Sequence, residues 1–242
     1  MKTLNLGQGN RFITAVASGI MLGAGLLFTT SVLAAGITGT AHAFSDNVSF
    51  NNSGEICKVC HTPHNAQVAA EDGPLWNREL TAATYTLYSG GTTGSDLNHT
   101  ISGNSVSGVS KLCLSCHDGT IALDAFGGAA GTATLGMGDL FPSRNIGGGT
   151  VGGTTADLNN DHPVSFLLDA AAITADSKIQ PLASLQALSA TGTSIQLFSD
   201  RLECATCHDV HDDAGNAKLL RVKNSTNDGG SASGLCLTCH IK

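Results

Sequence analysis

The sequence predicts a chain of mostly irregular coil with short α-helices and little or no β-sheet, wrapped round a core that the polypeptide does not itself supply. Three observations predict this. Glycine makes up 30 of 242 residues, aromatics only 5%, and long amphipathic runs are few. A chain so composed buries too little apolar surface to offset the entropy of ordering it. All eight cysteines lie in four copies of Cys-x-x-Cys-His. Those copies recur in one pattern in each half of the chain, which marks a duplicated module.

The copies are Cys57-Lys-Val-Cys60-His61, Cys113-Leu-Ser-Cys116-His117, Cys204-Ala-Thr-Cys207-His208 and Cys236-Leu-Thr-Cys239-His240. Two thiols three positions apart, followed at once by an imidazole, form the attachment pattern of a c-type haem. The thiols bond covalently to the porphyrin and the histidine becomes the proximal iron ligand. Four covalently bound c-type haems are therefore expected, with His61, His117, His208 and His240 on their irons. Four flat apolar plates then make the core. A redox dithiol or a zinc site would account for Cys-x-x-Cys, but neither needs a histidine directly after it.

The elements follow in order. Residues 1–43 read as an export signal: Lys2 and Arg11 give a basic start, residues 12–35 are apolar, and a small-residue stretch ends in Ala41-His42-Ala43. The apolar run is long enough to span a bilayer, so a retained anchor is the alternative. The glycines and the Ala-His-Ala ending favour cleavage, after Ala43 or at an earlier cut near Ala34. Residues 44–126 form a first dihaem module, 127–200 a Gly-rich loop and short helices carrying a distal histidine, and 201–242 a second dihaem module. The glycines at 147–149 and 152–153 read as an irregular loop that wraps a haem, given its length. Leu182–Leu188, after Pro181, reads as a short helix. The Cys-x-x-Cys-His segments should begin short helices too. Residues 44–242 carry nineteen acidic and ten basic residues, a formal charge of −9, which argues against nucleic acid or an anionic membrane surface as a partner.

The two halves repeat one order. Residues 57–65 read CKVCHTPHN and 204–212 read CATCHDVHD; residues 108–117 read GVSKLCLSCH and 231–240 read SASGLCLTCH. Of nine histidines, four are proximal and His42 leaves with the signal if the cut falls after Ala43. His64, His99, His162 and His211 remain, one for each iron. Met137 is the sole methionine beyond residue 43, so at most one iron has access to the His/Met pairing that raises potential. All four irons are read as bis-histidine, low-spin and of low potential. His61 and His64 are three apart, as are His208 and His211. On a helical turn such pairs point the same way, whereas axial ligands approach from opposite faces. His64 is therefore excluded from the haem of His61 and His211 from that of His208; the haem of His117 is one that His211 could reach. His64 is expected on the haem of His240 in a neighbouring copy, a head-to-tail contact that grows filaments. The competing arrangement folds His64 back onto the His117 haem of its own chain.

The runs Val59-Cys-His-Thr-Pro-His-Asn65, Leu112-Cys-Leu-Ser-Cys-His-Asp-Gly119, Asp161-His-Pro-Val-Ser-Phe166 and Leu235-Cys-Leu-Thr-Cys-His240 resemble paired-CxxCH multihaem c-type cytochromes, above all the outer-surface tetrahaem cytochromes of metal-reducing bacteria whose relatives polymerise into haem-lined filaments. The resemblance covers most of residues 44–242. It implies a multihaem cytochrome fold, a homopolymer, a cell-surface or extracellular location, and redox proteins or extracellular electron acceptors as partners. One position departs from the pattern: similar chains often carry a histidine after Leu-Trp-Asn, where this chain has Arg78, so the ligand role of His99 rests on the count alone.

Electron transfer without substrate chemistry is the function expected, and the protein is not expected to be an enzyme. The alternatives are a monomeric periplasmic electron shuttle to a reductase and a nitrite- or hydroxylamine-type reductase. A reductase needs an iron with an exchangeable position and acid–base groups beside it, and the histidine count leaves no iron open. Asp118, Asp209 and Asp212 read as solvated or hydrogen-bonding residues.

Overall fold

The computed structural model describes residues 36–44, 49–51, 53–70, 73–88, 106–175, 178–192, 194–212 and 214–241. The apolar run of the expected export signal and His99 lie outside them. Strands β1 (Thr84–Leu87) and β2 (Thr155–Leu158) pair in parallel, Tyr85 opposite Ala156; β3 (Phe166–Leu167) and β4 (Arg201–Leu202) pair antiparallel. The helices are α1 (Gly108–His117), α2 (Met137–Leu140), α3 (Ala170–Ala175), α4 (Leu182–Thr191), α5 (Cys204–Cys207) and α6 (Gly234–Cys239). Cys57–Val59 makes a single 3-10 turn. Among the described residues no helix is long and apolar enough to cross a membrane.

Local chemistry explains the clearer elements. Pro181 caps the start of α4 with a preset φ, and Gly192, at φ +64°, ends it in the left-handed conformation that glycine adopts freely. The helix runs past Leu188 to Thr191 because no breaker intervenes before that glycine. In β1 the threonines flank Tyr85, which is buried, while β2 buries Ala156 and Leu158 against it.

Apolar packing is divided among three small clusters. Tyr85, Val106, Leu114, Ala156 and Leu158 form the first. Phe50, Val59, Leu123 and Met137 form the second, with Cys60, Cys116 and Phe126 against it. Leu168, Ala172, Leu185 and Ile195 form the third, with Leu235 and Cys239 against it.

The Gly-rich segment is fastened to the end of α1. Ile146 N–H donates to His117 O (2.8 Å), Gly149 N–H to Asp118 O (2.9 Å) and Gly152 N–H to Thr120 O (3.0 Å). A methyl group at Gly119 (φ +78°) would run into the Gly149 carbonyl, and one at Gly149 into the Asp118 carbonyl. Glycine is required here because backbone lies directly on backbone.

Candidate prosthetic-group sites

Three of the four motif histidines share one local structure. Thr62 N–H donates to Leu75 O (2.8 Å) and Asn77 N–H to Cys60 O (2.8 Å); Asp209 N–H to Leu219 O (2.7 Å) and Arg221 N–H to Cys207 O (2.9 Å); Ile241 N–H to Lys178 O (2.6 Å) and Gln180 N–H to Cys239 O (2.7 Å). In each case an incoming strap pairs antiparallel with the histidine's own backbone, as the bridges His61–Trp76, His208–Leu220 and His240–Ile179 record. The pairing pulls the histidine out of helical geometry: His208 sits at φ −105°, ψ 141° and His240 at φ −94°, ψ 140°. The helical turn expected through His61–His64 and His208–His211 therefore does not form. His117 differs. It is the last residue of α1, and its own backbone receives one bond from the Gly-rich segment, from Ile146 N–H.

The straps also orient the rings. His61 Nδ1 bonds to Pro74 O (2.8 Å), His117 Nδ1 to Arg144 O (2.9 Å) and His208 Nδ1 to Lys218 O (3.0 Å). A carbonyl only accepts, so Nδ1 carries the proton and Nε2 keeps its lone pair for a metal, the arrangement found behind metal-bound histidines. His162, in the Asp161-His-Pro163 turn, is held likewise through Nδ1 to Pro163 O (2.9 Å).

Three motif rings each have a second imidazole close by. His61 and His211 have ring centroids 6.3 Å apart, His42 and His117 6.0 Å, and His162 and His240 6.4 Å. A metal–imidazole bond is about 2 Å long, which puts the centroids of two imidazoles on opposite faces of one metal ion about 6 Å apart. His211 thus leaves its own motif but meets His61, not His117. His162 meets His240, and His64 is exposed. Among the described residues no ring is paired with His208, and His99 lies outside them.

His42 is a candidate site residue that the sequence did not single out. It packs on Phe44, which packs on Phe50 (centroids 5.6 and 5.4 Å). Burial, and then the neighbouring His117, push its pKa down to about 4, and burial lowers His117 as well. Both stay neutral, the form that binds metal. The buried Nδ1 of His42 has no hydrogen-bond partner. The available signal was the earlier cut near Ala34, which retains this residue and adds it to the histidine count.

The cysteines adjoin in chain order. Cys60 and Cys116 lie on one apolar cluster. Cys113 and Cys204 are neighbours, and their interaction raises the pKa of the first and lowers that of the second. Burial, then Cys239, pushes Cys207 up to about 11. Cys57 and Cys236, at the two ends of this row, are exposed. All eight are free thiols. Among the described residues no three His, Cys, Asp or Glu side chains converge as a structural zinc site requires.

Buried polar groups line the row. Asp118, 0% exposed, accepts from Tyr85 OH (2.7 Å), Thr81 Oγ1 (2.7 Å), Thr120 N–H (2.7 Å) and Thr120 Oγ1 (2.8 Å). Glu203, also buried, accepts from Ser110 N–H (3.2 Å) and Ser110 Oγ where α1 meets α5, and burial raises its pKa. Arg201 Nε lies 3.4 Å from its other oxygen. Asp209 accepts His211 N–H (3.1 Å) and pairs with Arg221 at 3.4 Å. Met137 packs within the second apolar cluster. Neither a protein-family model nor a curated protein matches the chain.

Proposed function

We propose that this chain is an exported tetrahaem c-type cytochrome that transfers electrons and performs no substrate chemistry. The observation that carries the reading is the set of three histidine pairs with centroids 6.0–6.4 Å apart, each containing one motif histidine. Zinc asks for a convergent tetrahedron, whereas these donors come as pairs, each beside two thiols, which fits haem c. Cys57 and Cys60 would hold the first haem with His61 and His211 as ligands, and Cys113 and Cys116 the second with His117 and His42. Cys204 and Cys207 would hold the third through His208, with His99 or His64 as its second ligand. Cys236 and Cys239 would hold the fourth with His240 and His162. When bound, haem supplies a one-electron couple at each iron. The protein's own share is to fix the rings of His61, His117, His162 and His208 through their Nδ1 bonds, to keep His42 and His117 neutral, and to set the attachment sites side by side.

This reading needs His42 in the mature protein, so processing falls at the earlier cut near Ala34. Intact mass tests both points. The exported protein should exceed its polypeptide by four haem masses, start before His42, and carry no alkylatable thiol. Its oxidised spectrum should be low-spin and unresponsive to cyanide at the haems of His61, His117 and His240, and at the haem of His208 once His99 or, on assembly, His64 binds it. A zinc-bearing mass, or reactive thiols, sinks the reading; rapid cyanide binding at any of the first three, or at the fourth in assembled protein, reopens the reductase alternative.

The finer reading is a haem-lined extracellular filament, and the alternative to it is a monomeric periplasmic shuttle. The exposed His64 supports the filament as a ligand to spare for a neighbouring copy. Because His162 already stands opposite His240, the target of His64 in that neighbour is the iron at His208.

A further inference from the structure

Arg78 is the sole buried cation among the described residues, at 0% exposure. Its Nη1 donates to Leu123 O (2.7 Å) and its Nη2 to Ala122 O (3.0 Å), while Nε has no partner. Among the described residues no carboxylate forms an ion pair with it. Asp124 is committed to Thr132 N–H (2.8 Å) and Thr132 Oγ1 (2.6 Å), and Asp118 to its own four donors. A hydrogen-bonding staple across two carbonyls does not need a charge, and a buried charge without a counter-ion is costly.

Its position gives that charge a use. The backbone of Arg78 bridges Phe126, which packs with Cys60 and Cys116, and Leu123 belongs to the same cluster. The guanidinium therefore lies where the first and second attachment sites meet. Where the second and third sites meet, the buried charged side chain is instead the acid Glu203, with Arg201 Nε 3.4 Å from one of its oxygens.

Four sites with the same bis-histidine ligands cannot be told apart by ligand identity, which leaves surrounding charge and burial to separate their potentials. A fixed cation favours the state that has gained an electron, a fixed anion disfavours it, and a low dielectric enlarges both effects. We propose that Arg78 is a positioning charge for electrons. It raises the reduction potentials of the haems attached at Cys60 and Cys116 above that of the haem attached at Cys204, so that electrons are drawn from the third site toward the first. The proposal rests on the tetrahaem reading.

The test compares wild-type holoprotein with Arg78→Gln and Arg78→Lys by spectroelectrochemical titration, each midpoint being assigned through haem-methyl NMR. Arg78→Gln should lower the first two midpoints by at least a tenfold change in the oxidised-to-reduced ratio, about 59 mV for one electron, and leave the fourth in place. Four haems per chain and a low-spin spectrum should persist. Arg78→Lys, which keeps the charge, should move the midpoints by less than half as much. Equal shifts in both variants, or none, overturn the proposal and leave the tetrahaem reading untouched, because that reading stands on haem count and spin state. If Arg78→Gln does not accumulate, the wild type decides: the haems at His61 and His117 must take up electrons before the haem at His208, and the reverse order overturns the proposal.

Discussion

The second and fourth motifs share the run Leu-Cys-Leu-Ser/Thr-Cys-His, yet the polypeptide surrounds them differently. Helix α1 continues through His117 and buries Ser110, Leu112, Leu114 and Ser115 against other parts of the chain; α6 stops at Cys239 and has no side chain buried by polypeptide. The residue after the histidine shows why. Asp118 gathers Tyr85, Thr81 and Thr120 around the end of α1, and the Gly-rich segment closes over it. Ile241, its counterpart, is 44% exposed and contributes a backbone bond to Lys178. What is duplicated is the chemistry of the motif. Its burial is set by β1 and by residues 145–158, which have no equivalent in the second half.

The largest effect should come from breaking that difference at Asp118. Asp118→Ala removes the shared acceptor of four buried donors, which should cost about 3–5 kcal/mol by the logic of removing one side of a buried network. Ile241→Ala removes a half-exposed side chain and should cost less than about 1 kcal/mol. Denaturant titration of the two holoprotein variants reads both. Equal costs would mean that the two motifs are held alike and that the contrast is superficial.

Legibility in the sequence follows the range of the interaction. The cysteines and motif histidines are local patterns, and α4 has a proline before it and a glycine after it, so these could be read directly. The straps could not. Pro74–Asn77, Lys178–Gln180 and Lys218–Arg221 share little beyond an apolar residue opposite the histidine (Trp76, Ile179, Leu220), and what they have in common is pairing with a histidine's backbone. That pairing replaces the helical turn on which the reasoning about His64 and His211 depended. The β1–β2 pair was invisible for a similar reason: four residues of alternation around Tyr85 are too few to read, and the partner strand lies some seventy residues away. His42 was hidden by its neighbours, since Ala41 and Ala43 make it look like part of a cleavage site.

An intermediate effect should follow from the different sources of the second ligand. His117 draws its partner from the extreme N-terminal segment and His240 from the middle of the chain. His42→Ala and His162→Ala should each turn one haem of four high-spin, seen as loss of about a quarter of the low-spin electron paramagnetic resonance signal, with the bis-histidine pairing lost at that iron alone. A chain beginning at Phe44 should match His42→Ala. If that truncation keeps every haem low-spin, another residue faces His117 and the pairing of the second site is wrong.

The smallest effect on an isolated chain, and the sharpest on an assembly, is expected at the other repeated pattern, Cys-x-x-Cys-His-x-x-His. His211 is engaged within the chain, opposite His61. His64, its counterpart, is exposed. His211→Ala should therefore give one high-spin haem at any protein concentration. His64→Ala should leave the spectrum of dilute protein as it was, because a ligand offered to a neighbouring copy is not used by a lone chain. At high concentration the filament reading expects wild type to form long assemblies in which the iron at His208 becomes low-spin, and expects His64→Ala to do neither, since a heterologous contact that loses its bond no longer propagates. His99→Ala is the control for the competing supply from within the chain, and it should change nothing if His64 is the ligand. Electron microscopy beside the low-spin signal across a concentration series separates the two. Should His64→Ala assemble as wild type does, or His99→Ala alone turn the iron at His208 high-spin, the two repeats differ only in surface exposure and the chain is a self-contained shuttle.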